Sequence, residues 1–204
     1  SNFENINVAN LNTFLNVTPA DGDTDDEEKV ITRVRGKYWN SDNSQWVERA
    51  NKLGGIMHSA PAIVDHNSRT GSRDEVAYVG DLYGMLHAIE TPTGNEKWAF
   101  IPRNLLGKLK NDRTDPSATQ DFAAVDGSPT VKDVYYDHDG NQGTADQWRT
   151  ILVCPEGRGG NYVFALDVTD PDNWSVLWEL TVEAILSYTG SGGFTPGDTV
   201  TGET

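Results

Sequence analysis

"GMLHAIETPTGNEKW", residues 84–98, and "NYVFALDVTDPDNWSVLW", residues 161–178, decide the fold. Each runs from a short apolar segment through turn-forming residues to a second segment that carries a tryptophan. "HAIE" lies over "FALD", so Ala88 matches Ala165 and Trp98 matches Trp178. The second copy is three residues longer, and the extra residues fall in the turn "TDPDNW", where insertion costs little. Upstream, "HSAPAIV" (58–64) matches "DGSPTV" (126–131), with Pro61 over Pro129.

Working outward from these landmarks, four β-type runs follow one another in each copy. The first copy reads "SAPAIVD", "EVAYVGD", "GMLHAIE", "KWAFIP"; the second reads "DGSPTVKDVYYD", "RTILVCPEG", "NYVFALDV", "SVLWEL". A repeat of this size points to a propeller or a similar array. One small antiparallel sheet cannot bury both of its faces, whereas sheets stacked radially can. The expected class is therefore all-β: a partial β-propeller of about two four-stranded antiparallel blades, with a short N-terminal helix. Propellers need roughly four to eight blades, so the chain is expected to belong to something larger.

The expected organisation has three parts. Residues 1–50 form an acidic segment leading into the propeller, with a helix around "DDEEKVITRVRG". Residues 51–182 hold the two blades and a long inserted loop at 103–125, in which Leu105, Leu106 and Leu109 suggest one helical turn. Residues 183–204 begin a small Gly/Thr-rich β module.

Thirty-one acids against sixteen bases give a net charge of −15. That disfavours nucleic acid and an anionic membrane surface, since no Lys/Arg cluster is dense enough to displace counterions. Acidity serves solubility, and it also suits an extracellular cation-binding protein. No run approaches the ~18 apolar residues of a membrane span. The single cysteine, Cys154, sits in "TILVCPEG" and reads as a small buried hydrophobe.

The candidate metal loop is "YDHDGNQGTADQW". Asp137, Asp139 and Asn141 place oxygen ligands at alternate positions around Gly140, as a hard cation such as calcium requires, and Asp146 closes the set, although Gly140 comes early and the closing acid is not a Glu at the twelfth place. The same residues also suit an ordinary hairpin loop in which Asp and Asn satisfy turn backbone. "DHNSRTGSRDE", with Asp65, Asn67 and Asp74, is a weaker version. His58 and His87 lie inside apolar strands and read as core residues; His66 and His138 sit in the acidic loops. Ser59 and Ser128 read as structural, and "GRGGN" (157–161) as a tight turn. Trp98 and Trp178 read as packing residues, each against a neighbouring sheet. Trp39, Trp46 and Trp174 lie in polar stretches and are expected to be exposed. No catalytic constellation is evident, and no organic cofactor is expected.

Taken in order, "VITRVRG", "NKLGGIMHSAPAIV", "AYVGDLYGMLHAIETPTGNEKWAFIP", "VDGSPTVKDVYYD" and "QWRTILVCPEGRGGNYVFALDVTDPDNWSVLWEL" resemble the propeller domain of the PilY/PilC type IV pilus tip-associated proteins. The resemblance covers about residues 28–182. It implies a quinoprotein-like propeller at the C-terminal end of a much longer secreted chain. It further implies adhesion to host cells or abiotic surfaces, pilus biogenesis and surface sensing, with minor pilins or the major pilin and the remaining blades as partners. The expected location is the cell surface, at the pilus tip or outer membrane. Calcium binding occurs in that family, but its D-x-D-x-N-x-D-G loop is absent here as such. Two rival readings follow from the same residues. "AIETPTGNEKW" also resembles the repeat of pyrroloquinoline-quinone dehydrogenases, and an outer-membrane assembly scaffold would use a similar propeller.

Overall fold

The computed structural model describes residues 26–65, 73–109, 124–136 and 147–182. Helix α1 (Asp26–Val34) opens this part. Acids lead it and Arg33 closes it, which suits the helix dipole. Val30 enters the core, with Ile31 and Val34 packed at its edge. A hairpin of β1 (Lys37–Asn40) and β2 (Gln45–Glu48) follows, pairing Trp39 with Trp46.

Two four-stranded antiparallel sheets then occur in succession. The first contains β3 (Ala62–Val64), β4 (Val76–Gly80), β5 (Leu86–Glu90) and β6 (Glu96–Phe100), in that order. A 3-10 turn at Arg103–Lys108 follows β6. The second contains β7 (Thr130–Tyr136), β8 (Gln147–Pro155), β9 (Tyr162–Asp167) and β10 (Ser175–Thr181), again in chain order. All eight strands lie on the runs expected from the sequence.

Strand register makes the repeat quantitative. In the first sheet Ala62, Tyr78, Ala88 and Trp98 stand opposite one another in a single row. In the second the same row is Thr130, Val153, Ala165 and Trp178. Pro61 and Pro129 each immediately precede the first residue of their row. Both outer strands also carry an extra residue just before the tryptophan, Lys97 in β6 and Leu177 in β10. Such a bulge twists the strand locally, and its recurrence at one position marks a shared blade design.

The two sheets pack face to back. The face of the first sheet that bears Tyr78, Leu86, Ala88, Trp98 and Phe100 joins one core with Leu152, Cys154, Phe164 and Leu166 of the second. The latter four alternate with the row residues Val153 and Ala165, so they occupy the opposite face of their sheet. Phe100 meets Phe164 at 5.0 Å between ring centroids. Trp98 stacks on Trp174 at 4.5 Å and donates from Nε1 to Pro171 O at 2.8 Å. Repeating this step would lay a further sheet onto Trp178, so the contact is heterologous and can propagate around a ring.

Three sequence expectations are corrected here. Trp178 does not pack against a neighbouring sheet: it is 39% exposed, against 7% for Trp98. Its face is the repeat equivalent of the buried face of the first sheet, and no described sheet covers it. Trp174 is partly buried, because the turn that carries it folds back over β6, and Trp46 is half-buried beside Trp39, at 5.6 Å between ring centroids. His58 is not a core residue; its side chain is 53% exposed.

Candidate functional site

The charged and polar side chains that the fold brings together lie where the strand connections of both sheets meet. The crossover into the second sheet, residues 124–128, is wedged there between the two. A Cβ on Gly80 would lie 2.1 Å from Val125 O, and one on Gly159 1.7 Å from Ala124 O. Neither position has room for any side chain, so backbone packs on backbone. Val125 N donates to Asp81 O, and Asp126 N donates to Glu156 O, both at 2.9 Å.

Asp81 and Glu156 are repeat equivalents. Each follows the second strand of its sheet, and each backbone N–H bonds the carbonyl across the turn, Met85 O and Tyr162 O respectively. Both side chains are buried. Asp81 is richly satisfied. It accepts from Gly54 N at 2.8 Å and from Tyr83 N and Met85 N at 2.9 Å, and His87 Nε2 lies 3.1 Å from Oδ2. On its other side His87 places Nδ1 2.5 Å from Glu96 Oε1. Burial alone would lower the basicity of His87, but the two flanking carboxylates outweigh it and raise its pKa to about 9. Glu96 is lowered in turn, chiefly by its bond to His87. At neutral pH this is a carboxylate–imidazolium–carboxylate bridge. Nδ1 bonds Glu96, while Nε2 lies at ion-pair distance from Asp81 without a directed hydrogen bond, so the trio does not converge on a metal. Among the described residues no group of three or more His, Cys, Asp or Glu side chains could hold one.

His58 forms a second histidine–carboxylate pair, Nδ1 to Asp126 Oδ2 at 2.8 Å, with His58 N donating to Asp126 Oδ1 at 3.2 Å. The pair ties the lead into β3 to the lead into β7. Ser128 adds to this link, accepting from Ala60 N at 3.0 Å and donating to His58 O at 3.3 Å. Ser59 Oγ accepts from Gly80 N at 2.8 Å. Both serines thus spend their hydroxyls on backbone. Burial pushes the Cys154 thiol up to about 12, which leaves it a protonated core group. Chemically the arrangement is a rigid splice between sheets.

Asp137, Asp139, Asn141 and Asp146, the candidate calcium ligands, lie outside the described residues, as do Asn67, His66 and His138 and residues 183–204. Of the weaker loop's candidate ligands, Asp65 and Asp74 are described. Lys97 is 3.0 Å from Asp172 and 3.8 Å from Asp74 and Glu90. It joins the edge of the first sheet to the turn of the second. Sequence reasoning missed the Asp81–His87–Glu96 bridge and the Trp39–Trp46 hairpin, in which Trp39 is exposed. The recurring acid after the second strand was the available signal for the former.

A head-to-back pair of four-stranded sheets with a shared outer-strand tryptophan defines two blades of a β-propeller. Over 93% of its length the chain is 32% identical to the type IV pilus biogenesis factor PilY1 of Pseudomonas aeruginosa strain UCBPP-PA14. Over 74% of its length it is 39% identical to a PilY1 homologue of Xylella fastidiosa. The chain belongs to the PilY1 family of type IV pilus biogenesis factors. It spans only 18% and 11% of the length of those two relatives. The crystal structure of the Pseudomonas aeruginosa PilY1 C-terminal domain matches 55% of this chain and 19% of its own, at 38% identity and a TM-score of 0.39. The assignment of blades rests on register instead. No protein-family model matches the chain. No helix among the described residues is long and apolar enough to cross a membrane.

Proposed function

We propose that the chain is part of the propeller of a pilus tip-associated protein that promotes pilus biogenesis and attaches the cell to host or abiotic surfaces. It acts by binding and not by catalysis. The observation that carries this reading is the likeness to PilY1 over 93% of the chain, which runs through both blades and the splice between them. In this reading the sequence segments 103–125 and 137–147 carry the contacts to pilins and to the surface. The open face bearing Trp178 receives a remaining blade of the same protein. The location this implies is the cell surface, at the pilus tip or outer membrane, where the same protein serves surface sensing.

Removing both blades from the parent gene is expected to abolish surface pili and attachment, and an intact copy is expected to restore both. Normal piliation and attachment after the deletion would overturn the reading. Piliation without attachment would confine the role to adhesion.

Calcium is proposed as the inorganic ligand, held by Asp137, Asp139 and Asn141, which alternate as a hard cation prefers, and by Asp146. Titration with calcium alone, followed by calorimetry, is expected to give one site that is lost when Asp137 and Asp139 are both changed to asparagine. Equal heats from parent and variant would contradict it.

A further inference from the structure

The second blade carries a buried carboxyl group whose surroundings differ sharply from those of its counterpart. Where Asp81 has three backbone donors and His87, the Glu156 carboxyl has Asn104 Nδ2, donating to Oε2 at 2.9 Å, and the Tyr162 backbone N–H. The position equivalent to His87 is Phe164, one residue before the row alanine in each blade, so no imidazolium is available. Glu156 Oε1 and Asn104 Oδ1 are both left as acceptors without a donor, and each has less than 1 Å² open to solvent. That leaves no room beside either oxygen for a water molecule or a hydrated ion. A proton needs no such room. The site is closed on its far side by Gly160, where a Cβ would lie 2.1 Å from Glu156 Oε2.

We propose that Glu156 is held as the un-ionised acid at neutral pH and donates from Oε1 to Asn104 Oδ1, closing a two-bond acid–amide ring. The ring pins the 3-10 turn after the first blade to the turn between β8 and β9. In that ring one proton satisfies both oxygens, each of which is buried without a donor. The charged groups around it act in both directions. Lys108 on the same 3-10 turn, with Nζ 3.3 Å from Gly159 O, favours the carboxylate. Burial, the larger influence, and Glu179 on β10 favour the acid. Glu179 also accepts from Arg103 N at 2.7 Å. Asp126, on the crossover, has its carboxylate on His58, Cys154 is a neutral thiol, and the Arg158 side chain is exposed. Raising the pH removes the proton to solvent, sets the two oxygens against one another and loosens the turn. The folded acid binds its proton more tightly than the unfolded one, so stability is lost as pH rises through the folded-state value.

Infrared spectroscopy of the folded chain in heavy water at pH 7 is the test. An un-ionised carboxyl carbonyl stretch is expected, and it is expected to vanish in Glu156→Gln. The amide introduced by E156Q can offer the same donor–acceptor pair to Asn104 without titrating, so this variant is expected to melt at or above the parent temperature. Glu156→Ala, which cannot, is expected to melt several degrees lower. Absence of the acid band in the folded parent chain overturns the proposal. So does an E156Q variant as unstable as E156A, which would mean that an ionised Glu156 paired with Lys108 is what matters. Should E156Q not fold, the band in the parent chain decides alone.

Discussion

Replacing Trp98 by alanine is expected to destabilise the chain by about 4 kcal/mol, whereas the same change at Trp178 is expected to cost under about 1 kcal/mol. The two residues hold one position in the repeat, opposite Ala88 and Ala165. Their environments differ only because the blades stack in one direction. Trp98 lies under the turn of the second blade, against Trp174 and with its indole N–H on Pro171 O. Its truncation opens a large cavity between the sheets and strands that carbonyl. Trp178 stands on the open face. A loss of about 4 kcal/mol is a large share of the 5–15 kcal/mol that a domain has in reserve, so W98A is expected to unfold at a much lower urea concentration than the parent chain. Urea unfolding of both variants, read by far-ultraviolet circular dichroism, checks the difference. Equal losses at the two positions would mean that the sheets do not stack as described.

Removing the carboxylate of Asp81 is the second large effect. Asp81→Ala strands three backbone N–H groups and leaves His87 buried with Glu96 as its one counter-charge. Losing a buried charged partner costs on the order of 4 kcal/mol. The same bridge sets a pH dependence of definite sign. His87 binds its proton more tightly folded, at about 9, than at its ordinary 6.5. Its contribution is therefore complete below pH 6.5 and lost as pH rises through 9, a change on the order of 3 kcal/mol. Thermal melts across pH 6–10 are expected to show that decline in the parent chain, and His87→Gln is expected to flatten it. An unchanged slope in the variant would remove His87 from the account.

How much of this was legible in the sequence depends on the distance over which each feature is encoded. The eight strands were, because period-two alternation and flanking Gly, Pro and Asp residues are local signals. So was the equivalence of Trp98 and Trp178, since both copies keep the same neighbours. The burial of Trp174 was not. Its flanking Asp and Asn residues look solvent-facing, and only the fold of the turn over β6 buries it. His58 was misread for the opposite reason: it follows apolar residues, but it lies before β3 begins, where the chain has not yet entered the sheet. The Asp81–His87–Glu96 bridge joins a turn, a strand and an edge strand. Its members appear in the sequence as an ordinary loop acid, a strand histidine and a surface glutamate. The short β1–β2 hairpin escaped because four polar-flanked residues carry too little alternation to mark a strand.

These contributions share one origin. The first blade buries one face on the back of the second, and the backbone splice at residues 124–128 holds the two together. The most direct measurement is oxidative footprinting of the native chain, with the modification of each tryptophan read by mass spectrometry. Strong modification of Trp178 with protection of Trp98 is the expected result, together with protection of both in a longer polypeptide that supplies the following blade. Modification of Trp98 as fast as Trp178 in the folded chain would contradict the stacked-blade arrangement.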